Sequence, residues 1–340
     1  MEILLVYTHI ADMLAQPALV QLEPNLFVIR FECMKVASAL GVVESLVQDG
    51  VVEKGDTLVD SSSGLYALAL ALACSKYDLR CHIVASPAVD PALMVQLTSL
   101  GATVEQPSGT GDATFDQGAR VQRVQEIVAD LPGSYWMRQY HDTRHYDGYR
   151  SMAHTVAASL GSDEVVLVGG VGTGVSTAGI GQGLADRGVD PTVIGVQPFG
   201  SVSFGSQHVE DPEFLISGLG SGIPFGNIDY SIYHEIHWID YATARRGAIT
   251  ALRRHGLFAG LSSGAAYAVA SWHRRSADRP VVFISPDPGH RYVSTVFAGA
   301  DSVSELGHTD APRPVKSSSE LAPPWCWTPW QSTGQGFTAP

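Results

Sequence analysis

Residues 165–187 constrain this chain more than any other stretch, because a buried strand there runs into a glycine-rich turn and then into a helix. The strand is Val165–Val168, and the small-residue helix is predicted over residues 177–187. Glycine permits positive φ and lets the backbone approach a ligand closely. Backbone N–H groups at a helix N-terminus, together with the helix dipole, favour an anion. The turn is therefore predicted to bind an anionic group such as a cofactor phosphate; the alternative is a tight strand-to-helix turn without a ligand.

Short apolar strands and helices alternate along most of the 340 residues. This alternation predicts a parallel, doubly wound α/β architecture. There are too many units for one compact sheet, so two lobes are predicted, with the ligand site between them at the carboxyl ends of the strands. The predicted division is a larger lobe of residues 1–35 and 146–310, a smaller lobe of residues 36–145, and a C-terminal tail of residues 311–340.

The tail is rich in proline, serine and glycine but contains Trp325, Trp327 and Trp330. Such tails are usually disordered, yet tryptophans seldom stay in water. Part of the tail is therefore expected to pack on the body of the protein or on a second subunit.

Composition excludes several classes of partner. The formal net charge of −13 argues against nucleic acid or an anionic membrane surface. No run approaches the roughly 20 apolar residues of a membrane span. Cysteines 33, 74, 81 and 326 form no C-x-x-C pair, which is typical of reduced thiols. We therefore expect a cytoplasmic protein that acts on small molecules.

Several further patches accompany the glycine-rich turn in a recognisable order. They are Met34–Lys35, Ser61–Gly64, Tyr135–Tyr140, Gly172–Gly174, Gly200–Gly205, Gly218–Gly220, Gly256–Gly264 and Pro286–Tyr292. From about residue 15 to residue 297 the chain resembles the fold-type II pyridoxal-phosphate enzymes, the group of cysteine synthase and cystathionine β-synthase. Within that group it is similar to the N-(2-amino-2-carboxyethyl)-L-glutamate synthases of siderophore pathways.

The resemblance implies that pyridoxal 5'-phosphate is the cofactor and that the glycine-rich turn holds its phosphate. The residues matched to that role are Gly172, Thr173, Gly174, Val175 and Ser176. Val175 replaces a usual glycine but keeps its backbone N–H, and Ser176 keeps the hydroxyl of a usual threonine.

The resemblance also requires a lysine that bonds to the cofactor aldehyde and later acts as a base. The chain has four lysines, and Lys35 is the one at the matching position. The loop before it is several residues shorter than is usual in the family, so the alternative is that this bond no longer forms.

Two more positions are matched to the cofactor ring. Leu65 replaces a usual asparagine and cannot hydrogen-bond to the ring oxygen. Asp287 is at the position of a usual small hydroxyl residue, so it either faces the pyridine nitrogen or caps a turn.

The family resemblance implies that the substrate carboxylate binds the loop Ser61, Ser62, Ser63 and Gly64, with Gln139 as a second contact.

Histidines 141, 145 and 154 cluster after the 135–137 strand, but H-x₃-H from His141 to His145 lacks a third-ligand pattern. No metal site is predicted.

The implied reaction is β-replacement on O-phospho-L-serine or O-acetyl-L-serine by an amine such as L-glutamate, giving a precursor of 2,3-diaminopropionate. Two alternatives stay open: a cysteine synthase with a sulfur nucleophile, and a family member that binds ligands without catalysis. The resemblance also implies a homodimer.

Overall fold

The computed structural model describes residues 5–87, 89–108, 113–211, 218–333 and 337. The chain divides into two compact units. The smaller unit contains residues 1–16 and 33–148, and the larger unit contains residues 17–32 and 149–340. The predicted division had placed the N-terminal segment in the larger lobe and had treated the tail separately.

The strands of the described chain are named in sequence order. They are β1 (Ala18–Glu23), β2 (Leu26–Arg30), β3 (Thr57–Ser61), β4 (Arg80–Val84), β5 (Thr103–Glu105), β6 (Ser134–Trp136), β7 (Glu164–Gly170), β8 (Asp190–Pro198), β9 (Tyr233–Ile239), β10 (Val281–Ser285), β11 (Arg313–Pro314) and β12 (Trp325–Pro329).

The α-helices are named in the same way. They are α1 (Ile10–Leu14), α2 (Lys35–Gln48), α3 (Leu65–Lys76), α4 (Pro91–Ser99), α5 (Ala113–Asp130), α6 (Asp147–Leu160), α7 (Val175–Ala185), α8 (Tyr241–His255), α9 (Leu261–His273) and α10 (Trp330–Thr333). None of these helices combines the length and the apolar character needed to cross a bilayer.

The smaller unit contains a four-stranded parallel sheet in the order β5-β4-β3-β6. Every residue of the central strand β3 is buried, as expected where helices cover both faces of a parallel sheet. Helix α3 is rich in alanine and leucine on all sides, and eight of its 12 residues are buried.

The larger unit contains an eight-stranded sheet in the order β1-β2-β10-β7-β8-β9-β12-β11. The strands from β2 to β9 in that order are parallel, whereas β1 pairs antiparallel with β2 and β12 pairs antiparallel with β9. Its core joins apolar residues of the central strands to the buried side of α9. The predicted α/β fold with doubly wound parallel sheets is confirmed.

The C-terminal segment completes this larger sheet. Strand β12 places Trp325 opposite Ile239 of β9. Trp325 and Trp330 are both buried. The tail therefore packs on the body of the protein, which was one of the two arrangements expected for its tryptophans.

Candidate active site

The predicted phosphate loop lies at the N-terminus of α7, directly after β7. Gly174 is the N-cap residue and has φ of +77°, a conformation that favours glycine. A Cβ at Gly172 would lie 2.6 Å from the carbonyl oxygen of Gly218, so this position also requires glycine. In the described chain, the backbone N–H groups of residues 172–176 donate to no backbone carbonyl. The loop therefore presents donors suited to a phosphate.

Neighbouring strands hold this loop in place. The Val171 N–H donates to Val196 of β8, and the Val171 carbonyl accepts from the Gly220 N–H at 2.9 Å. The same carbonyl accepts from the side-chain amide of the buried Gln197. Because Val171 precedes the donor residues, these bonds fix the direction in which their N–H groups point.

Asp287 follows β10 in the same unit and is 3% exposed. The Tyr292 hydroxyl donates to Asp287 Oδ2 at 2.8 Å, whereas Oδ1 is buried without a hydrogen-bond partner in the described chain. Burial raises the pKa of Asp287 to about 6. The side chain caps no helix, and its remaining oxygen fits a donor such as a protonated ring nitrogen.

In the smaller unit, Lys35 is the first residue of α2. Burial lowers the pKa of its amine, which increases the fraction of the neutral, nucleophilic form. A Cβ at Gly148 would lie 1.8 Å from the Ala37 carbonyl oxygen, so the backbone of residue 148 touches the first turn of α2. The short loop before Lys35 thus leads into a tightly packed helix start.

A buried pair that sequence reasoning missed lies close to Lys35. The His145 Nδ1–H donates to the Asp142 carbonyl at 2.9 Å, so His145 Nε2 accepts from the Tyr66 hydroxyl at 2.8 Å. Burial, with a contribution from the charge of Lys35, lowers the pKa of His145 to about 4. His145 is therefore neutral and serves as an acceptor for Tyr66.

The predicted carboxylate loop begins at the end of β3. The hydroxyl of Ser61 is buried and has no partner in the described chain. Ser62 Oγ accepts from the Gly64 N–H at 3.4 Å, and Ser63 Oγ accepts from the Ser86 N–H at 2.7 Å. Leu65 starts α3. The loop thus has one buried hydroxyl without an internal bond, at Ser61.

Gln139 lies against this loop, as its predicted role requires. Its side-chain amide donates to the Ser61 carbonyl at 2.6 Å. Asp60 adds a second connection, because its carboxylate accepts from the backbone N–H of Gln139 at 3.0 Å and from that of Ser61 at 2.8 Å. The Trp136 indole N–H also donates to Asp60, at 3.2 Å. Asp60 therefore ties together the two segments assigned to the substrate carboxylate.

Sequence reasoning had not identified Asp60 as a functional residue. Burial raises its pKa to about 7, although its three hydrogen bonds act in the opposite direction. The available signal was an acidic residue at the end of an otherwise apolar strand, directly before a loop rich in serine.

A separate cluster in the larger unit joins Glu235 and His237 of β9 to His273 of α9. Glu235 Oε2 lies 3.3 Å from His237 Nε2 and 3.2 Å from His273 Nε2. Ligands of a tetrahedral zinc ion with bonds of about 2.0–2.1 Å have similar separations. The Trp325 indole N–H, however, donates to His237 Nδ1 at 3.1 Å. The proton of neutral His237 is therefore on Nε2, where it donates to Glu235 rather than leaving a lone pair for a metal.

Burial lowers the pKa of His237 to about 4, which keeps its ring neutral. Burial raises the pKa of Glu235, but the hydrogen bonds and the electrostatic attraction of the two histidines together lower it to about 2. We interpret the cluster as a hydrogen-bonded anchor that holds β12 against β9.

Comparison with known proteins places these features in a family. The family model described as "Pyridoxal-phosphate dependent enzyme" matches residues 31–287. The N-(2-amino-2-carboxyethyl)-L-glutamate synthase of Ralstonia nicotianae is 31% identical over 260 residues, which cover 75% of this chain and 76% of the relative. A putative cysteine synthase of Sinorhizobium fredii is 31% identical over 274 residues, covering 78% and 80%.

Solved structures show the same fold. The crystal structure of O-ureido-L-serine synthase has a TM-score of 0.73 at 23% identity and covers 89% of this chain and 98% of its own. That of O-acetylserine sulfhydrylase isoform 3 from Entamoeba histolytica has a TM-score of 0.75 at 19% identity, covering 89% and 93%.

Proposed function

Because this chain belongs to the pyridoxal-phosphate dependent enzymes, we propose that it replaces the β-substituent of an activated L-serine with an amine nucleophile. The serine derivative is O-phospho-L-serine or O-acetyl-L-serine, and the nucleophile is L-glutamate. Relatives named for this glutamate product, at 31% and 32% identity over three-quarters of the chain, support this choice. A homodimer acting in the cytoplasm, in a siderophore or other secondary pathway, completes the proposal.

The observation that carries the proposal is the buried Lys35 with its lowered pKa at the start of α2. Bound pyridoxal phosphate withdraws electrons from the substrate α-carbon and so makes its proton acidic. In the proposed reaction the Lys35 amine accepts that α-proton and the phosphate or acetate leaves the β-carbon. The glutamate amine then forms a bond to the β-carbon and releases one of its own protons to solvent, and Lys35 returns the α-proton to the α-carbon.

The other residues bind and orient. The N–H groups of Gly172, Thr173, Gly174, Val175 and Ser176 are assigned to the cofactor phosphate, and Asp287 Oδ1 to the ring nitrogen. Ser61, Ser62, Ser63, Gly64 and Gln139 are assigned to the substrate carboxylate. Leu65 offers no polar contact to the ring.

The first test is the visible absorbance of the purified protein loaded with pyridoxal phosphate. The band of lysine-bound cofactor should be present in the wild type and absent in Lys35→Ala. Lys54→Ala is the matched control, because Lys54 is an exposed lysine paired with Asp78. A band that persists in Lys35→Ala, or that never forms, would refute the assignment of Lys35.

Product analysis separates the nucleophiles. Cysteine synthase relatives at 30% and 31% identity favour a sulfur nucleophile as the second candidate. With O-phospho-L-serine supplied, glutamate and sulfide should be compared as co-substrates by mass spectrometry. Turnover with sulfide but not with glutamate would establish the second candidate. No turnover with either, despite bound cofactor, would favour a binding protein without catalysis, in line with Leu65 and the short loop before Lys35.

A further inference from the structure

Tyr233 is a buried tyrosine of the larger unit that has no role in the proposed reaction. It is the first residue of β9 and is 0% exposed. Its ring lies against the neighbouring strand β8, where a Cβ at Gly195 would lie 3.0 Å from a carbon of the ring. Glycine at this position of β8 therefore leaves the space that the Tyr233 ring occupies.

The Tyr233 hydroxyl contacts α7, the helix that follows the phosphate loop. It lies 2.6 Å from Thr177 Oγ1, which in turn lies 3.0 Å from the Gly174 carbonyl oxygen. A carbonyl oxygen can only accept, so the single hydroxyl proton of Thr177 donates to Gly174. The Tyr233 hydroxyl therefore donates to Thr177, and this chain of two hydrogen bonds ends at the N-cap residue of α7.

The Gly174 carbonyl belongs to the same peptide unit as the Val175 N–H, which is one of the donors assigned to the cofactor phosphate. Because a peptide unit is planar, bonds that fix the direction of its carbonyl also fix the direction of its N–H. The Gly174 carbonyl accepts from the Ala178 N–H at 3.0 Å and also from the Thr177 hydroxyl. Thr177 and Tyr233 can thus orient a phosphate donor without touching the phosphate.

A residue near the C-terminus packs against this tyrosine through Phe204. The Phe204 ring is edge-on to the Tyr233 ring, with centroids 5.5 Å apart, and its centroid lies 4.9 Å from that of the Trp330 ring. Both Phe204 and Trp330 are buried. Trp330 lies beyond residues 31–287, to which the family model matches. The C-terminal segment is therefore in packing contact with the residues that support the phosphate loop.

We propose that Tyr233 is a positioning residue for the cofactor phosphate, acting through Thr177, and that Trp330 supports it through Phe204. This inference rests on the phosphate loop of the proposed function, but it depends neither on the nucleophile nor on Lys35. The Tyr233 hydroxyl holds the Thr177 side chain in the orientation that donates to Gly174. Its loss should weaken binding of the phosphate group and leave binding of the pyridine ring unchanged.

The test compares pyridoxal 5'-phosphate with pyridoxal, which lacks the phosphate group. Dissociation constants for the full chain are measured by quenching of tryptophan fluorescence, which requires no bond to Lys35. Tyr233→Phe should weaken binding of pyridoxal phosphate by roughly three- to tenfold, the effect of one hydrogen bond, and should not change binding of pyridoxal. Tyr267→Phe is the matched control, because Tyr267 is also a buried tyrosine of the larger unit, with its hydroxyl bonded to His255 instead. It should change neither affinity.

A double-mutant cycle tests the route through Thr177. Thr177→Val alone should weaken binding of pyridoxal phosphate as Tyr233→Phe does. In the Thr177→Val background, Tyr233→Phe should cause less than about a twofold further loss, because the hydroxyl through which it acts is already absent. Additive losses would overturn the route through Thr177.

The comparison of ligands decides the positioning role. An equal loss of affinity for both ligands in Tyr233→Phe, or no loss for either, would overturn it. Equal affinity of the wild type for the two ligands would overturn the phosphate loop and this inference together, whereas the proposed reaction is judged separately by the Lys35 band and the product analysis. Trp330→Ala should also weaken binding of pyridoxal phosphate selectively, and unchanged affinity in that variant would overturn the supporting role of Trp330. Tyr233→Phe removes only a hydroxyl, so it remains informative if Trp330→Ala fails to fold.

Discussion

Replacement of Asp60 by asparagine tests whether a buried carboxylate shapes the predicted carboxylate loop. Asp60 Oδ1 accepts from Ser61 and Trp136, and Oδ2 accepts from the Gln139 N–H. Asparagine can keep the first pair with its carbonyl oxygen, but its NH₂ group then faces the Gln139 N–H, and two donors oppose each other. Loss of that acceptor should cost about 1–3 kcal/mol of folding free energy.

The difference in unfolding free energy between wild type and variant should also depend on pH, and this dependence tests the burial of Asp60 more specifically. Burial raises the pKa of Asp60 from 3.8 to about 7, so the folded protein binds this proton more tightly than the unfolded chain. The contribution of this tighter proton binding to the stability of the folded state is fully present below about pH 4 and is lost as the pH rises towards 7. At about 1.4 kcal/mol per pH unit, roughly 3 kcal/mol is lost between pH 5 and pH 8. The asparagine side chain of the variant does not titrate, so the variant avoids this loss.

Urea denaturation of both proteins at pH 5 and pH 8 measures the effect. Relative to the wild type, Asp60→Asn should gain about 3 kcal/mol of stability between the two pH values. Asp49→Asn is the control, because Asp49 is an exposed aspartate in the same unit, beside Ser45. If the free energies of unfolding of wild type and Asp60→Asn differ by the same amount at both pH values, the reasoning is refuted. If Gln139 contacts the substrate, the variant should also raise KM more than it lowers kcat.

Three further substitutions test other parts of the structure. Gly172→Ala places a Cβ 2.6 Å from the Gly218 carbonyl oxygen and should weaken cofactor binding by at least about tenfold in a spectroscopic titration; unchanged affinity would exclude the loop as the phosphate site. Asp287→Asn removes a carboxyl whose pKa is raised to about 6, so the absorbance of the bound cofactor should shift and lose pH dependence near 6; an identical spectrum would mean that Asp287 does not face the ring. His237→Ala leaves the buried Trp325 N–H without its acceptor, which should cost about 1–3 kcal/mol and speed proteolysis of the C-terminal segment; an unchanged cleavage rate would contradict its anchoring role.

Local sequence patterns predicted the α/β architecture and identified the glycine-rich turn as the candidate phosphate loop. Alternation of apolar strands and helices is a short-range property, so it predicted the parallel α/β sheets without any long-range contact. The turn at residues 171–174 was recognisable because glycine at Gly174 is needed for a positive φ. The position of Lys35 at the start of a helix also followed from the local sequence pattern.

Tertiary structure alone decided which side chains meet. The sequence could not give the contacts of Asp287, because its hydrogen bond from the Tyr292 hydroxyl and the burial of Oδ1 depend on how the chain packs. The histidines after β6 gave no sign of their partner, because His145 bonds to Tyr66, 79 residues away.

The contacts of the C-terminal tryptophans could not be predicted from the sequence for the same reason. Trp325 reaches His237 across 88 residues because β12 pairs with β9 at the far side of the larger sheet. Likewise, Arg274 meets Glu23 because the sheet and its helices bring distant segments together. A pattern of residue types specifies an element and its buried face, but strand order and register determine the contacts between elements, and these depend on the packing of the whole unit.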